Sequence, residues 1–347
     1  MIFSFGIRST TASPAGDRLT SYESRLSVVS AMKTLLTKSP RRAAEFINKG
    51  EIVAFPTETV YGLAANVFDS KALRKIFRAK RRPADNPFIA HVASKEQISL
   101  LAERITPSAD KFIQRFFPGP LTVVLPKRPT VSLVATAGLS TIGIRMPRHS
   151  VAKAFLRACG VPLAAPSANL SGTPSPTTWR NVRADLDGRI SCILIGGQAK
   201  VGLESTVVDC TGTVPKVLRV GAVTLEQLRA VVPSTRLLTH KSRGTPKSPG
   251  MKYRHYAPHA RVSIVSGVKN FHGLDNAAYI GIDKPPQSGR FVLCLICKNT
   301  DDYAHHLYEF FRRCDARRIS VIYCERVAKA GLGLALMDRL KKAAKRN

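Results

Sequence analysis

Phe55-Pro-Thr-Glu-Thr-Val-Tyr-Gly-Leu63 and, a helix later, Lys80-Arg-Arg-Pro-Ala-Asp-Asn-Pro-Phe-Ile-Ala-His91 decide how this chain is read, because they gather hydroxyls, cations and an imidazole that no folding requirement asks for. Glu51 to Phe55 is a mostly apolar run stopped by Pro56, which cannot donate to the next rung, and it reads as a buried strand. Thr57, Glu58, Thr59 and Tyr61 then sit at a strand's end, a common place for ligand-facing side chains in α/β sheets. Asp69 or Ser70 can cap the following helix, whose Leu73, Ile76 and Phe77 keep the spacing of a core-facing stripe. Seven of the twelve residues from Lys71 to Arg82 are Lys or Arg, and Pro83 ends the helix. Cations in that last turn either complement the helix dipole, worth roughly 0.3–1 kcal/mol, or clamp an anionic ligand. The turn alone leaves both readings open.

Three further segments shift the balance toward a ligand. Leu163-Ala-Ala-Pro-Ser167-Ala-Asn169 is again an apolar strand running into proline and then into small polar groups suited to a phosphate or ribose edge. Gly202-Leu-Glu-Ser205-Thr206-Val-Val-Asp209 opens another strand in the same way, after the Gly196-Gly197 turn. Val217-Leu-Arg219-Val-Gly221 carries one arginine in an apolar strand end, where an unpaired guanidinium is expensive and an anionic partner is expected.

On these residues the chain resembles the YrdC family of threonylcarbamoyl-adenylate synthases in its long, two-domain form, from about Lys33 to Asn347. A Lys-x-Arg plus Ser-x-Asn signature is present as Lys80-Arg81-Arg82 and Ser167-Ala168-Asn169, within intact Pro-Thr-Glu-Thr-Val-Tyr-Gly-Leu, Arg-Pro-x-Asp-Asn-Pro and Glu-Ser-Thr blocks. Ser248-Pro-Gly-Met-Lys-Tyr-Arg-His255-Tyr256-Ala-Pro258 is similar to the linker that lies across the active site in the long form. The resemblance implies an α/β fold: a twisted mixed-sheet domain with flanking helices over 32–231, a basic linker over 232–260 and a small Rossmann-like domain over 261–347. It implies an L-threonylcarbamoyladenylate synthase that consumes L-threonine, bicarbonate or CO2, and ATP, and releases pyrophosphate. The product would feed a downstream transferase that makes the t6A37 modification of tRNAs reading ANN codons.

The resemblance puts Lys80, Arg82, Ser167 and Asn169 in the catalytic set. Thr59, His91, Arg145 and Ser205 would meet the threonine, with Arg145 on its carboxylate. Lys80, Arg82, Asn86, Thr141, Ser167, Ser175 and Arg219 would contact the nucleotide, and His255 and Tyr256 would close over it. Mg2+ would enter with ATP, held mainly by phosphate oxygens and water. No protein nucleophile is needed: positioning and neutralisation of growing phosphate charge carry such a reaction. Read without the family, His91 fits a satisfied core histidine as well as a ligand, Thr57 and Thr59 fit ordinary strand residues, and Ser175 fits a turn and helix cap. Tyr61 reads as wall or contact. Glu58 is the obvious general-base candidate, yet the chemistry does not require one.

Length and composition agree. A chain of 347 residues has room for two cores, and no apolar run approaches the ~20 residues of a membrane span. Seven cysteines sit mostly in apolar segments, and Cys294-Leu-Ile-Cys297 lies in a strand-like run whose positions three apart face opposite ways. Reduced thiols in a cytoplasmic protein, with no metal site, are the expectation. The charge is less expected: 54 basic against 23 acidic residues give +31, and Gln227 to Leu274 holds no acidic residue. Such a surface attracts polyanions, tRNA or double-stranded RNA among them, or reflects a proteome bias toward Lys and Arg. A non-catalytic RNA-binding protein of the same fold is the alternative, whereas a hydrogenase-maturation type relative lacks its acylphosphatase and zinc-finger regions here.

Met1 to Ala31 lies outside the resemblance and is read as a disordered extension, either upstream of a start at Met32 or a mitochondrial transit peptide. Past the linker, Arg261-Val-Ser-Ile-Val, Phe291-Val-Leu-Cys-Leu-Ile and Ser320-Val-Ile-Tyr read as buried strands alternating with helices such as Asp301 to Arg313, a small parallel α/β domain. Gly331 to Arg339 is similar to the family's closing helix.

Overall fold

The computed structural model describes residues 33–238, 256–267, 271, 274–286 and 288–345. The expected extension 1–31 and His255 lie outside the described residues. The first half runs β1 (Leu35–Thr37), α1 (Pro40–Asn48), β2 (Val53–Phe55), β3 (Gly62–Asn66), α2 (Ser70–Lys80), β4 (Ile89–His91), α3 (Pro107–Phe116), β5 (Leu121–Pro126) and α4 (Leu133–Thr136). It continues through β6 (Thr141–Arg145), α5 (Ser150–Cys159), β7 (Leu163–Ala165), α6 (Trp179–Leu186), β8 (Cys192–Leu194), β9 (Thr206–Asp209), β10 (Lys216–Arg219), α7 (Leu225–Val231) and β11 (Arg236–Leu237). The remainder is β12 (Arg261–Val265), β13 (Ala277–Gly281), β14 (Leu293–Ile296), α8 (Thr300–Ala316), β15 (Val321–Glu325) and α9 (Leu332–Ala344).

Two sheets result. The larger is mixed and eleven-stranded, in the order β1-β8-β2-β3-β7-β4-β6-β5-β9-β10-β11; the smaller is all parallel, in the order β12-β15-β13-β14. The large sheet's strands are mostly three to five residues long and buried on both faces, which is why they read as apolar runs and not as alternations. Helices cover both faces, and Leu73, Ile76 and Phe77 of α2 pack into the main core as their spacing predicts. Asp69 caps α2, its Oδ1 accepting from the Lys71 and Ala72 amides at 2.8 and 3.0 Å.

Two strands lie outside the elements the sequence suggests. Arg236 and Leu237 pair in parallel with Lys216 and Val217, so the large sheet reaches into the stretch assigned to the linker: the open edge of β10 offers unpaired backbone groups that the chain satisfies before leaving. The central strand β13, Ala-Ala-Tyr-Ile-Gly, was absent from the sequence reading because alanine and glycine carry little strand preference; its place between β15 and β14 is what makes it a strand.

The two sheet units meet through an apolar seam, in which Val60 and Leu203 of the first join the core built on Tyr303, Leu307, Tyr308 and Leu336 of the second. Gly202 makes that seam possible. Its φ is +79°, and a Cβ there would lie 2.5 Å from the His305 carbonyl oxygen and 2.6 Å from its Cα, both backbone. Gly202→Ala is therefore expected to destabilise the protein by about 2 kcal/mol or more, since the helix backbone of α8 cannot give way; a urea melt against the wild type measures it.

Candidate active site

A cavity of about 70 Å³ is lined by Thr57, Thr59, Val60, Tyr61, Gly62, Arg82, Ile89, His91, Arg145, Ala165, Pro166, Ser167, Glu204, Ser205, Arg219 and Tyr256. Strand pairing places its chemistry. Parallel β4 and β6 set His91 directly opposite Arg145, and antiparallel β7 sets Ala165 opposite Ile89, two residues earlier on the same face. Ile89, Val124 and Val207 form a small apolar floor of their own.

The turn after Pro56 is held by Thr57, whose hydroxyl donates to the Val60 carbonyl at 2.6 Å and accepts from the Thr59 and Val60 amides and from the Thr59 hydroxyl at 2.8 Å. That leaves the lone pairs of Thr59 for a ligand. His91 Nδ1 lies 3.1 Å from the Ile89 carbonyl oxygen, which can only accept, so Nδ1 carries the proton and Nε2 is an acceptor. Burial first, and then the Arg145 guanidinium, push the His91 pKa down to about 3. The imidazole is neutral at neutral pH.

Arg145 already has an internal anion. Its Nη2 is 2.8 Å from Glu58 Oε1, with both side chains buried, though the pair lacks hydrogen-bond geometry: neither carboxylate oxygen of Glu58, nor that Nη2, has a hydrogen-bond partner among the described residues. Across the cavity, Arg219 donates through Nε to the Ser205 carbonyl and through Nη2 to its hydroxyl, both at 3.0 Å, and Thr122 meets the same hydroxyl at 2.9 Å. Arg82 is turned back by Arg81, which ends α2 in the left-handed conformation at φ 51°. Its guanidinium donates to the Asn86 carbonyl at 3.1 Å and lies 5.5 Å from the centre of the Phe88 ring.

The residues expected at the site divide into two groups. Thr59, Arg82, His91, Arg145, Ser167, Ser205, Arg219 and Tyr256 line the cavity together; Lys80, Asn86, Thr141, Asn169 and Ser175 do not. Lys80 is fully buried behind the wall, and its Nζ donates to the carbonyls of Ser167 and Asn169 at 2.6 and 2.5 Å and to Asn169 Oδ1 at 3.4 Å. Burial and the Arg82 charge pull its pKa well below the usual lysine value, while three oxygen acceptors match the three protons of an ammonium. Asn169 braces the same loop, its amide donating to Leu170 and Thr173 while its oxygen accepts from the Ser167 hydroxyl at 2.6 Å. Ser175 donates to Glu204 Oε1 at 2.6 Å. Thr141 opens β6 four residues before Arg145, about 13 Å along the strand, and lines a separate depression with Lys127 and Thr211. Tyr61 is wall: its hydroxyl donates to the Gly196 carbonyl at 2.8 Å.

Glu204 was quoted within its block but not singled out, and Arg339 was read only as part of a closing helix. The signal for Arg339 was present, one arginine in an apolar helix, the argument already applied to Arg219. Among the described residues no three His, Cys, Asp or Glu groups converge on a metal position. The seven cysteines are free thiols, and burial raises the pKa of Cys297 to about 12 and lifts that of Cys294.

Comparison with known proteins bears on the family. Residues 45–221 match the family described as Telomere recombination, and residues 223–345 match the Threonylcarbamoyl-AMP synthase, C-terminal domain. The threonylcarbamoyl-AMP synthase of Pyrococcus abyssi is 43% identical over 317 residues, covering 88% of this chain and 93% of its own. The chain belongs to the threonylcarbamoyl-AMP synthase family. The Bacillus subtilis member of that family is 41% identical over 337 residues, covering 89% of this chain and 94% of its own. A crystal structure of P. abyssi Sua5 complexed with L-threonine superposes with a TM-score of 0.82 at 41% identity, covering 90% of this chain and 97% of that one.

Two outcomes follow for a threonylcarbamoyl-AMP synthase built this way. The unfolded chain takes up the His91 proton near pH 6.5 and the folded one near 3, so the folded state loses stability as pH falls through that window, by ~1.4 kcal/mol per pH unit for one such group. His91→Gln is expected to flatten the acid limb by that slope in urea melts taken between pH 7 and 4. Lys80→Met strands the Ser167 and Asn169 carbonyls, at a cost of about 2–4 kcal/mol, and loosens their loop. Hydrogen exchange of the 166–170 peptide should rise while that of β5 stays unchanged.

Proposed function

We propose that the protein makes threonylcarbamoyl-AMP and pyrophosphate from L-threonine, bicarbonate or CO2, and ATP. The observation that carries this reading is the convergence of Arg82, Arg145 and Arg219 with a neutral His91 on one buried cavity, in a chain of this family. The site is rich in fixed cations, as a reaction between anions requires, and no cysteine or lysine is among the described residues that line it.

Threonine sits with its carboxylate at Arg145, which exchanges its contact with Glu58 for the ligand, and with its hydroxyl and amine near Thr59, His91 Nε2 and Ser205. The amine attacks CO2, an N–C bond forms and the proton leaves to solvent. The carbamate oxygen then attacks the α-phosphorus in line, and pyrophosphate departs with the electron pair of the broken P–O bond. Arg82 and Arg219 neutralise the phosphate charge, while Lys80 and Asn169 hold the Ser167 loop against the nucleotide. Tyr256 covers the cavity. Asn86 seats Arg82, and Ser175 acts through Glu204. Thr141 reaches the nucleotide only at the distal end of a ligand laid along β6.

Glu204, the one carboxylate among the described residues of the cavity wall, is taken up by Ser175 and Arg339, so Mg2+ arrives as part of the MgATP substrate, held by phosphate oxygens and water. The product serves as carbamoyl donor for N6-threonylcarbamoyl modification of adenosine 37 in tRNA, through a separate transferase, and the basic surface suits passing contact with tRNA. The free thiols fit a reducing compartment such as the cytoplasm. Among the described residues no helix is long and apolar enough to cross a membrane.

Pyrophosphate release with MgATP should require both threonine and bicarbonate and yield a nucleotide of threonylcarbamoyl-AMP mass. Arg145→Gln should lower kcat/KM for threonine by about 10²–10³-fold, the usual loss for a buried charged donor. Release that ignores threonine would sink the reading.

A further inference from the structure

A carboxylate on the wall of a cavity read as a triphosphate site is unfavourable unless something answers its charge. Glu204 is such a carboxylate, only 6% exposed, and its partners come largely from the second sheet unit. Arg339 of α9, with no exposed surface, donates through Nε to Glu204 Oε2 at 2.9 Å and through Nη2 to the Val220 carbonyl at 3.0 Å. Tyr308 of α8 places its hydroxyl 3.1 Å from the same Oε2. Burial alone would raise the Glu204 pKa, but Arg339 and then Arg219 overcome it and hold the group below the usual carboxylate value. The carboxylate is charged and neutralised from behind.

The same arginine supports Tyr256. Its guanidinium lies 5.2 Å from the centre of the Tyr256 ring, and Tyr308 stacks on that ring at 5.5 Å and 22°. Tyr256 has φ +69°, a left-handed conformation that a non-glycine residue holds only when its surroundings impose it. Arg339 and Tyr308 are among those surroundings, while the next residue is tied down by the Ala257 amide donating to the Gly172 carbonyl at 3.1 Å.

We infer that Arg339 is a positioning residue of the active site, which neutralises Glu204 on the cavity wall and seats Tyr256 over it, so that the second sheet unit forms part of the site. The inference rests on the synthase reading for its kinetic consequence but not for its structural one. Arg339→Met alone strands a buried carboxylate and risks unfolding. The deciding variant is therefore Glu204→Gln with Arg339→Met, which leaves neither charge, with Arg339→Lys beside it as the conservative change.

Both variants are expected to melt within a few degrees of wild type. In the double variant, hydrogen exchange of the Tyr256–Ala260 peptide should rise by about tenfold or more with β5 unchanged, and kcat/KM for ATP in pyrophosphate release should fall by a similar factor. Arg339→Lys, which keeps the charge but not the planar fork, should recover part of both. A folded double variant with wild-type exchange at Tyr256–Ala260 and wild-type kcat/KM would overturn the inference. A wild-type protein that releases no pyrophosphate would overturn the synthase reading alone, and the exchange experiment would still decide the role of Arg339.

Discussion

A buried guanidinium has to be answered by an anion, and around this cavity three of them, Arg145, Arg219 and Arg339, share two buried carboxylates, Glu58 and Glu204. Desolvating such groups costs several kcal/mol each, which only close, well-aligned partners offset. Asp338 Oδ2, 2.6 Å from Arg339 Nη1, is a third carboxylate in this set, and Arg82 brings a further guanidinium to the cavity edge. Three guanidiniums lining one cavity suit an anionic ligand in a way that an apolar core would not. The site and the seam between the two sheet units are therefore consequences of the same electrostatic constraint.

Strand geometry converts this constraint into a usable cavity. The β4–β6 register brings His91 and Arg145 side by side, and the imidazole, robbed of its charge by burial and by that arginine, becomes an acceptor in a site otherwise dominated by donors. The close packing extends to the backbone: a Cβ on Gly221 would lie 2.4 Å from the Glu204 carbonyl oxygen and 2.5 Å from the Thr206 nitrogen, so the strand carrying Arg219 can approach the Ser205 turn only because that residue is glycine. Hydroxyls fill a supporting part, with Thr57 setting the turn for Thr59 and Thr122 setting Ser205. The second sheet unit contributes Arg339, Tyr308 and Arg312, the last bridging Asp185 and the Pro174 carbonyl, so its docking face is polar as well as apolar.

Much of this was legible in the chain. Proline after an apolar run marked the strand ends at Phe55 and Ala165, the 3.6-residue stripe marked α2, and polar residue types out of place in apolar runs marked Thr59, His91, Ser167 and Arg219. Eight of the residues expected at the site line one cavity. Three of those that do not converge share a physical reason: Lys80, Asn169 and Ser175 spend their hydrogen bonds on the wall itself, and side-chain type says nothing about whether a donor faces a ligand or a neighbouring carbonyl. β13 and β11 were missed because their strand character comes from the neighbours they pair with.

By itself, the sequence determined the chemistry available and its order along the chain: an α/β architecture, strand ends bearing hydroxyls and cations, a basic helix end, and the motifs that carry the family resemblance. Those are local properties, set by backbone sterics, periodicity and residue type. Only the tertiary structure decided the partners. Glu58 on Arg145, Glu204 on Arg339 and Tyr256 between Arg339 and Tyr308 are separated by 87, 135, and 83 or 52 positions, and no local signal couples charges that far apart. Their pairing is settled by which buried charges the fold brings within reach, because desolvation makes every unanswered one costly.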